Sequence, residues 1–264
     1  MQVYSGMDIG TAKPGPEERL TVTHHLLDVV SPAEPFSVAD YVRLAESAIA
    51  AARARGALPL VVGGTGFYLR ALARGLPTVP MADPEAQAPL WRAVELGHLA
   101  DLAAELRAAS PADAERAGAN PRRVVRSVEV LRRTGLAPSA FPLARPRFAY
   151  RMLVLLPATV TLGPRIEART ADMFGRGLVA EVRALLARYP DQPTALQAIG
   201  YKEVAEHLRG HLSLEAAHQA VTGATLRYAK RQRTWFKAEP DAQFVPKVGE
   251  ASQEEIGQWW EKLS

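Results

Sequence analysis

The sequence predicts an α/β fold with a parallel sheet at its core and a helical insertion. Two observations lead to this prediction. An apolar run, an amphipathic segment and a second apolar run follow one another over residues 24–64, which is the order of a βαβ unit. The stretch from about 77 to 118 then has helical periodicity and no strand signal. Short joints within a βαβ unit imply parallel strands connected by a right-handed crossover.

The first unit can be justified element by element. The run HHLLDVV, from His24 to Val30, is apolar and bounded by polar loops, so it predicts a buried strand. Ser37 is a good N-cap with Asp40 three residues later, and the apolar residues that follow recur at helical spacing up to Gly56. LPLVVGG, which begins at Leu58, predicts the second buried strand.

The remaining elements complete the predicted organisation. We expect a first part of the core domain at 1–76, a helical insertion at 77–118 and a second part of the core domain at 119–264. The last part is predicted to contain a helix ending at Gly135, a central strand in RMLVLLPA and one long helix over 164–189. Further helices to about residue 238, a strand in QFVPKV and a closing helix in IGQWWEKL follow.

Composition excludes several classes of protein. Hydrophobic residues make up 48% of the 264, and charged residues 23%, without an apolar run long enough for a membrane span or a signal peptide. The chain has no Cys, which suits a reducing, cytoplasmic location. His24 and His25 are adjacent in a predicted strand and so point to opposite faces, and we expect no protein metal site.

Arginine dominates the basic residues. Of 32 basic residues 26 are Arg, and the formal net charge is +4. The planar guanidinium suits phosphate ligands, although an Ala- and Arg-rich composition can also reflect a GC-rich genome. Clustering of the arginines is therefore the better guide.

A glycine-rich joint is the first candidate site. VVGGTGFYLRAL places Gly63, Gly64, Thr65 and Gly66 between a predicted strand and a helix. In open α/β sheets ligands bind at such joints, where free N–H groups at a helix N-terminus can meet a phosphate. A tight turn with Thr65 as a helix cap explains the same residues.

Two arginine pairs are weaker candidates. Arg122 and Arg126, with Arg123 beside them, share a helical face on which the nearby acid is Glu129, and such a face is more often merely solvated. Arg165 and Arg169 are predicted at the start of the long helix, where cations oppose the helix dipole and so favour an anionic ligand.

The strongest cluster is TLRYAKRQRTWFK. Basic residues alternate with aromatic ones, and no acid occurs from Ala216 through Ala238. Phosphates need cations and unstacked bases need flat partners, so the pattern favours contact with RNA, although the aromatic side could equally belong to the core. On a helix one side contains Tyr228, Gln232 and Trp235, and the adjacent side contains Arg227, Lys230, Arg231 and Thr234.

Six segments together resemble the signature blocks of the tRNA dimethylallyltransferase family, also called tRNA isopentenyltransferases or IPP transferases. They occur in the family's order and at fitting intervals over nearly the whole chain. The segments are QVYSGMDIGTAKP, HHLLDV, VVGGTGFYLRAL, RRVVRSVEV, LQAIGYKE and YAKRQRTWF.

This resemblance implies a fold, a reaction and partners. The fold is an α/β, P-loop NTPase-like parallel sheet core with a helical insertion domain that grips the anticodon stem-loop of tRNA. The reaction transfers a dimethylallyl group from dimethylallyl diphosphate to N6 of the adenine just 3′ of the anticodon, position 37, with Mg²⁺ as cofactor. We expect a monomer without membrane contact.

The resemblance also assigns residues. Gln2 matches the position that reads the flipped adenine, and Thr65 matches the catalytic threonine beside the reacting amine. Gly63, Gly64, Arg165 and Arg169 are assigned to the pyrophosphate. The tRNA contacts are assigned to Arg122, Arg123, Arg126, Gln197, Gly200, Tyr201, Lys202, Lys230, Arg231, Gln232, Trp235 and Lys237.

The chain departs from the family at its N-terminus. The family's first strand, its Walker-type loop and the aspartate that serves as general base would lie upstream of Met1, so the core is expected to be N-terminally incomplete. A start site placed too late explains this, and the 264-residue form would then show little turnover. The alternatives are a tRNA-binding remnant without catalysis and a small-molecule P-loop kinase relative.

Overall fold

The computed structural model describes residues 1–240, 242–245 and 250–261. Two compact units divide the chain, and each is described by itself. Unit 1 comprises Met1–Leu69 and Phe148–Ser264, and unit 2 comprises Arg70–Arg147. In chain order the helices and strands are α1 (Pro16–Thr21), α2 (Val38–Ala54), α3 (Gly66–Arg74), α4 (Pro84–Glu95), α5 (Leu99–Ala109), α6 (Pro111–Ala117), α7 (Pro121–Thr134), β1 (Leu153–Leu155), α8 (Thr159–Gly175), α9 (Leu178–Arg188), α10 (Tyr201–Leu208), α11 (Leu214–Lys237), β2 (Gln243–Val245) and α12 (Glu250–Glu261).

Local sequence signals explain where several helices begin and end. The Ser37 hydroxyl accepts a hydrogen bond from the Asp40 N–H, and the Asp40 carboxylate accepts one from Ser37, which is the predicted capping box of α2. Asn120 caps α7, and Gly135 ends it in the left-handed conformation. The predicted helices at these positions are confirmed.

The sheet is small. β1 and β2 pair in parallel, with Leu153 opposite Gln243 and Leu155 opposite Val245. The predicted strands in RMLVLLPA and QFVPKV are therefore confirmed over three residues each, and the closing helix is confirmed as α12. The predicted α/β class with a parallel sheet is confirmed in this reduced form.

The predicted strand at 24–30 does not form. Leu26 and Asp28 have positive φ angles of 60° and 56°, which bend the chain out of the extended conformation. Val30 forms an isolated parallel bridge to Tyr4, and the N–H groups of Asp28 and Val29 donate to the carbonyls of Gln2 and Val3. Leu26 and Val30 nevertheless pack against the core of unit 1, so the apolar run is explained by packing.

The predicted strand at 58–64 is also wrong, because this stretch has no regular structure. A strand requires a neighbour that pairs with its N–H and C=O groups, and no described residue supplies a backbone ladder here. The side chains of Leu58, Leu60 and Val62 are exposed by 48%, 60% and 83%. The apolar residues that predicted burial remain on the surface.

The single long helix predicted at 164–189 is two helices. α8 ends at Gly175, and Gly177 adopts φ 101°, after which α9 starts at Leu178. A residue in this conformation cannot continue a right-handed helix. The apolar periodicity of the two segments is in register across the break, which is why the sequence suggested one helix.

The core of unit 1 joins the N-terminal loop to the helices α9 and α10. Tyr4, Met7, Leu178, Val182 and Val204 are at most 1% exposed and belong to one cluster. A chain of aromatic contacts extends this cluster toward α3 through Tyr4–Phe36, Phe36–Tyr68 and the stacked pair Tyr41–Tyr68.

Unit 2 is helical and has its own core. α4, α5, α6 and α7 enclose a cluster that includes Leu90, Leu106 and Val124. The unit extends beyond the insertion predicted at 77–118 at both ends, and its C-terminal extension contains α7, which packs on α4, α5 and α6. Among the described residues no helix is long and apolar enough to cross a membrane.

Candidate functional site: a glycine turn, a basic helix and a clamped N-terminal loop

The inner side of α11 holds the glycine turn in place. Gln232 Nε2 donates a hydrogen bond of 2.8 Å to the carbonyl oxygen of Gly64, and the Tyr228 hydroxyl donates one of 3.2 Å to the same oxygen. The Trp235 ring lies so close to Gly66 that a Cβ atom there would collide with it. Gln232 and Trp235, predicted as tRNA contacts, therefore first of all fix this turn.

The outer side of the same helix is cationic. Lys230, Arg231 and Lys237 are exposed, and they continue a stripe that begins at Arg227. The guanidinium of Arg231 lies 5.5 Å from the centre of the Tyr228 ring, a cation–π contact that limits its freedom. The two-sided helix deduced from the sequence is thus present, with the aromatic side turned toward the glycine turn and the basic side toward solvent.

The turn itself presents polar groups to solvent. Thr65 is exposed, and its hydroxyl makes no hydrogen bond to any residue that the structure describes. Its carbonyl accepts the N–H groups of Tyr68 and Leu69 at 3.0 and 3.2 Å and so starts α3. Open space surrounds Gly63, and packing does not explain why this position lacks a side chain.

A tightly bonded loop follows Gln2. The Gln2 side-chain amide donates to the carbonyls of Thr11 and Ala12 at 3.1 and 3.0 Å. The buried ammonium group of Lys13 contacts the Tyr4 carbonyl at 2.8 Å and the carboxylates of Asp8 and Asp28 at 2.7 and 2.5 Å. Burial raises the pKa of Asp28, but the bonds from Lys13 and Arg19 outweigh it and lower this pKa below its ordinary value.

The loop is anchored to α9 by one carboxylate. Glu181 accepts the successive N–H groups of Asp8, Ile9 and Gly10 at 3.1, 2.8 and 3.4 Å. The Tyr201 hydroxyl donates to the same carboxylate at 2.5 Å. Burial and then the Glu181 carboxylate raise the pKa of Tyr201, so the phenol stays protonated and donates.

The LQAIGYKE block splits into a surface part and a core part. Gln197 and Lys202 line a surface depression of about 360 Å³ together with Glu203, Glu206 and Arg209. Gly200 is buried, and its N–H donates to Glu203. Tyr201 is only 1% exposed, so its position favours support of the N-terminal loop over the direct tRNA contact that the sequence suggested.

The arginines of unit 2 are not an uncompensated face. Arg126 donates to Glu129 at 2.6 Å and also to the Pro80 carbonyl, and Arg123 donates to the Arg116 carbonyl at 3.1 Å. Glu129 is 1% exposed and also accepts from Arg133. Arg122 and Arg123 remain exposed on the first turn of α7.

Arg165 and Arg169 are exposed on α8, whereas the neighbouring Ile166 and Thr170 are buried. Because α8 begins at Thr159, Arg165 lies well after the first turn. The argument from an unfavourable helix dipole, which falls off within the first turn, therefore does not hold. Their assignment to a pyrophosphate stays a prediction.

Sequence reasoning missed Glu181 and Lys13, and it noted Glu129 only as the acid near the arginines of α7. Each is a charged side chain that is buried or half-buried and binds backbone groups distant in sequence. Such a role depends on tertiary contacts and leaves little local signal. The glycine at position 10 could have indicated a close packing contact, because a Cβ there would lie 2.5 Å from the Tyr201 ring.

The described residues do not form a preassembled metal site. No group of three or more His, Cys, Asp or Glu side chains among them could hold a metal ion.

Fold and site together define an α/β protein in which a glycine turn is fixed against a cationic helix, an arrangement suited to a phosphate-bearing ligand. The chain belongs to the IPP transferase family, whose family model matches residues 2–239.

Individual relatives agree with this membership. The chain is 55% identical to a tRNA dimethylallyltransferase of Thermus thermophilus over 258 residues, which cover 97% of the chain and 85% of that protein. It is similar to the crystal structure of the tRNA isopentenylpyrophosphate transferase of Bacillus halodurans, with a TM-score of 0.70 and 34% identity over 99% of the chain and 84% of that protein. A eukaryotic dimethylallyltransferase acting on tRNA matches with a TM-score of 0.76 and 25% identity over 97% of the chain and 69% of that protein.

Proposed function

We propose that the protein is a tRNA dimethylallyltransferase, which transfers a dimethylallyl group from dimethylallyl diphosphate to N6 of the adenine at position 37 of tRNA. One observation carries the proposal: the inner side of α11 fixes the glycine turn while its outer side carries an exposed basic stripe. A single helix thus links a turn suited to a phosphate with a surface suited to RNA. Membership of the IPP transferase family supports the same activity.

In this reaction N6 attacks the allylic carbon and the carbon–oxygen bond to diphosphate breaks. N6 passes a proton to a general base, the aspartate that the family resemblance places upstream of Met1. The Thr65 hydroxyl, exposed and without a described partner, would hydrogen-bond the reacting amine. Gly63, with open space around it, and the Gly64 backbone would let diphosphate approach, and Arg165 and Arg169 would offset its charge. Gln2 would read the base, which must leave the stack to react.

We propose tRNA contacts for cations of each unit, taken by itself. In unit 1 these are Lys230, Arg231, Lys237 and Lys202, with Gln197 beside the last. In unit 2 they are Arg122 and Arg123, while Arg126 would contribute through its place beside Glu129. Gln232, Trp235, Gly200 and Tyr201 would act by holding these elements in place. We propose further that Mg²⁺ assists the leaving diphosphate and that the protein acts as a cytoplasmic monomer.

The test is transfer of a labelled dimethylallyl group to tRNA. The protein, in a form extended at its N-terminus by the Walker-type loop and the aspartate that the family resemblance places upstream of Met1, is incubated with dimethylallyl diphosphate, Mg²⁺ and an unmodified anticodon stem-loop. A second RNA that has guanine in place of the target adenine is the control. We expect label in the adenine RNA only. Absence of label despite tight binding of the RNA would indicate a tRNA-binding protein without this chemistry and would refute the proposal.

A further inference from the structure

Glu181 holds an unusual number of groups from one short loop. Its two carboxylate oxygens accept three consecutive backbone N–H groups, those of Asp8, Ile9 and Gly10, together with the Tyr201 hydroxyl. Successive N–H groups that converge in this way form an anion-binding concavity, and here a side chain of α9 fills it. The loop therefore takes its position from α9, although 171–173 residues separate the partners in sequence.

The backbone of this loop packs tightly against its neighbours at Gly10. A Cβ at Gly10 would lie 2.5 Å from Tyr201 Cε2 and 2.9 Å from Leu178 Cδ1. Tyr201 and Leu178 are 1% and 0% exposed, so neither can turn away into solvent. The backbone at Gly10 is thus pressed onto α9 and α10 while Glu181 binds it from the side.

The next two residues of the loop orient Gln2. The carbonyls of Thr11 and Ala12 accept from Gln2 Nε2, which uses both amide hydrogens. The amide oxygen of Gln2 has no partner among the described residues, so the side chain presents an acceptor and no donor. An acceptor fits an exocyclic amino group of a base and repels a keto oxygen.

We infer that Glu181, supported by Tyr201, is a positioning residue that sets the orientation of the Gln2 amide through the loop at residues 8–12. The inference rests on the proposed function for its biological meaning, because Gln2 faces a base only if the protein binds tRNA. This positioning role is compatible with the burial of Tyr201. It also connects the LQAIGYKE segment with a site formed near the N-terminus.

The orientation of Gln2 can be measured without RNA. Proton exchange of the Gln2 side-chain amide is followed by NMR in protein labelled with ¹⁵N-glutamine, for the wild type and for Glu181→Ala, Tyr201→Phe and the control Glu167→Ala on the exposed side of α8. We expect exchange to become at least tenfold faster in Glu181→Ala, to rise less in Tyr201→Phe and to stay unchanged in Glu167→Ala. Unchanged exchange in both Glu181→Ala and Tyr201→Phe overturns the inference; should Glu181→Ala not fold, Tyr201→Phe decides alone.

A binding experiment then separates positioning from general support. Affinity is measured for stem-loops with adenine or with purine, which lacks the 6-amino group, at the target position. We expect Glu181→Ala to reduce the wild-type preference for adenine at least threefold, and to add nothing in a Gln2→Ala background. A preference that is the same in Glu181→Ala as in the wild type contradicts the inference. No preference in the wild type contradicts the assignment of Gln2 to the base, while the exchange experiment still decides whether Glu181 positions Gln2.

Discussion

The Gln232 side chain donates a hydrogen bond of 2.8 Å to the carbonyl of Gly64, across 168 residues of sequence. This bond connects the helix that carries the basic stripe with the turn that carries Thr65. Tyr228 binds the same carbonyl, and Trp235 covers Gly66, so three residues spaced along one side of α11 support a turn of four residues. The precision of the turn therefore depends on the helix.

Glycine is required at Gly66 but not for packing at Gly63. In Gly66→Ala the new methyl group meets the Trp235 ring, whereas in Gly63→Ala it meets nothing within 4 Å. We expect Gly66→Ala to lower the free energy of unfolding by about 1–3 kcal/mol and Gly63→Ala to leave it unchanged. Thermal denaturation of the two variants checks this. Equal melting temperatures would show that the contact with Trp235 is not tight.

Gly63→Ala also tests whether diphosphate approaches the turn. Since packing does not require glycine there, a loss of affinity for dimethylallyl diphosphate at unchanged stability points to the ligand. We expect binding to weaken at least fivefold by titration calorimetry. Unaltered affinity would place the diphosphate elsewhere.

Thr65 should matter for catalysis and not for stability. Its side chain is exposed and has no hydrogen-bond partner among the described residues, so Thr65→Val removes no bond of the folded protein. We expect kcat to fall roughly ten- to a hundredfold, the size of one hydrogen bond to a charged or polarised group, with the melting temperature unchanged. Thr65→Ser keeps the hydroxyl and should retain most of the activity. A similar loss in both variants would argue against a role for the hydroxyl.

The basic stripe should control the salt dependence of RNA binding. Each cation that neutralises a phosphate contributes about 0.7–0.9 to the slope of log K against log salt. We expect Lys230→Gln and Lys237→Gln each to reduce the slope by about that amount, because both are exposed on α11. Arg43→Gln, an exposed position on α2 that pairs with Asp40, is the matched control. If all three variants show the same slope, α11 is not part of the RNA interface.

The sequence was informative where local signals decide structure. The capping box at Ser37 and the glycine after α7 define helix ends from a few neighbouring residues, and both were predictable. The absence of a strand at 58–64 could not be predicted, because pairing depends on a partner segment rather than on apolar composition. The same applies to the break at Gly177, where the apolar pattern continues across a glycine whose conformation is set by how α8 and α9 pack.

The candidate site likewise has features that the sequence predicts and features that depend on tertiary contacts. Its exposed cations and its glycine turn could be read from composition and spacing, since charge and glycine content are visible in the sequence residue by residue. The sequence alone could not show which side of α11 faces the turn, because that depends on the contact between Gln232 and Gly64. The anchoring roles of Glu181 and Glu129 were likewise hidden, since both accept from backbone N–H groups distant in sequence, those of Ile9 and Asp83.

Glu129 should make unit 2 sensitive to acid. Burial raises its pKa, but hydrogen bonds from Gln87, Arg126, the Asp83 N–H and Arg133 outweigh this and lower the pKa below the ordinary 4.5. A carboxyl whose pKa is lower in the folded state stabilises the fold above its unfolded pKa, and the stabilisation is lost as the pH falls through the folded value. We therefore expect the contribution of Glu129 to be complete above about pH 5 and to decline as the pH falls below 4.5 toward the lower folded pKa.

Glu129→Gln tests this directly, because it keeps the shape of the side chain and removes the charge. Arg126 and Arg133 would lose a charged partner that is 0% exposed, and we expect a loss of about 2 kcal/mol in the free energy of unfolding at pH 7. The control is Glu105→Gln, which breaks the more exposed pair with Arg132 and should cost less than about 1 kcal/mol. Denaturant unfolding between pH 3 and 7 should show that the difference between the wild type and Glu129→Gln shrinks as the pH falls. A difference that stays constant over this range would mean that the charge of Glu129 does not stabilise unit 2.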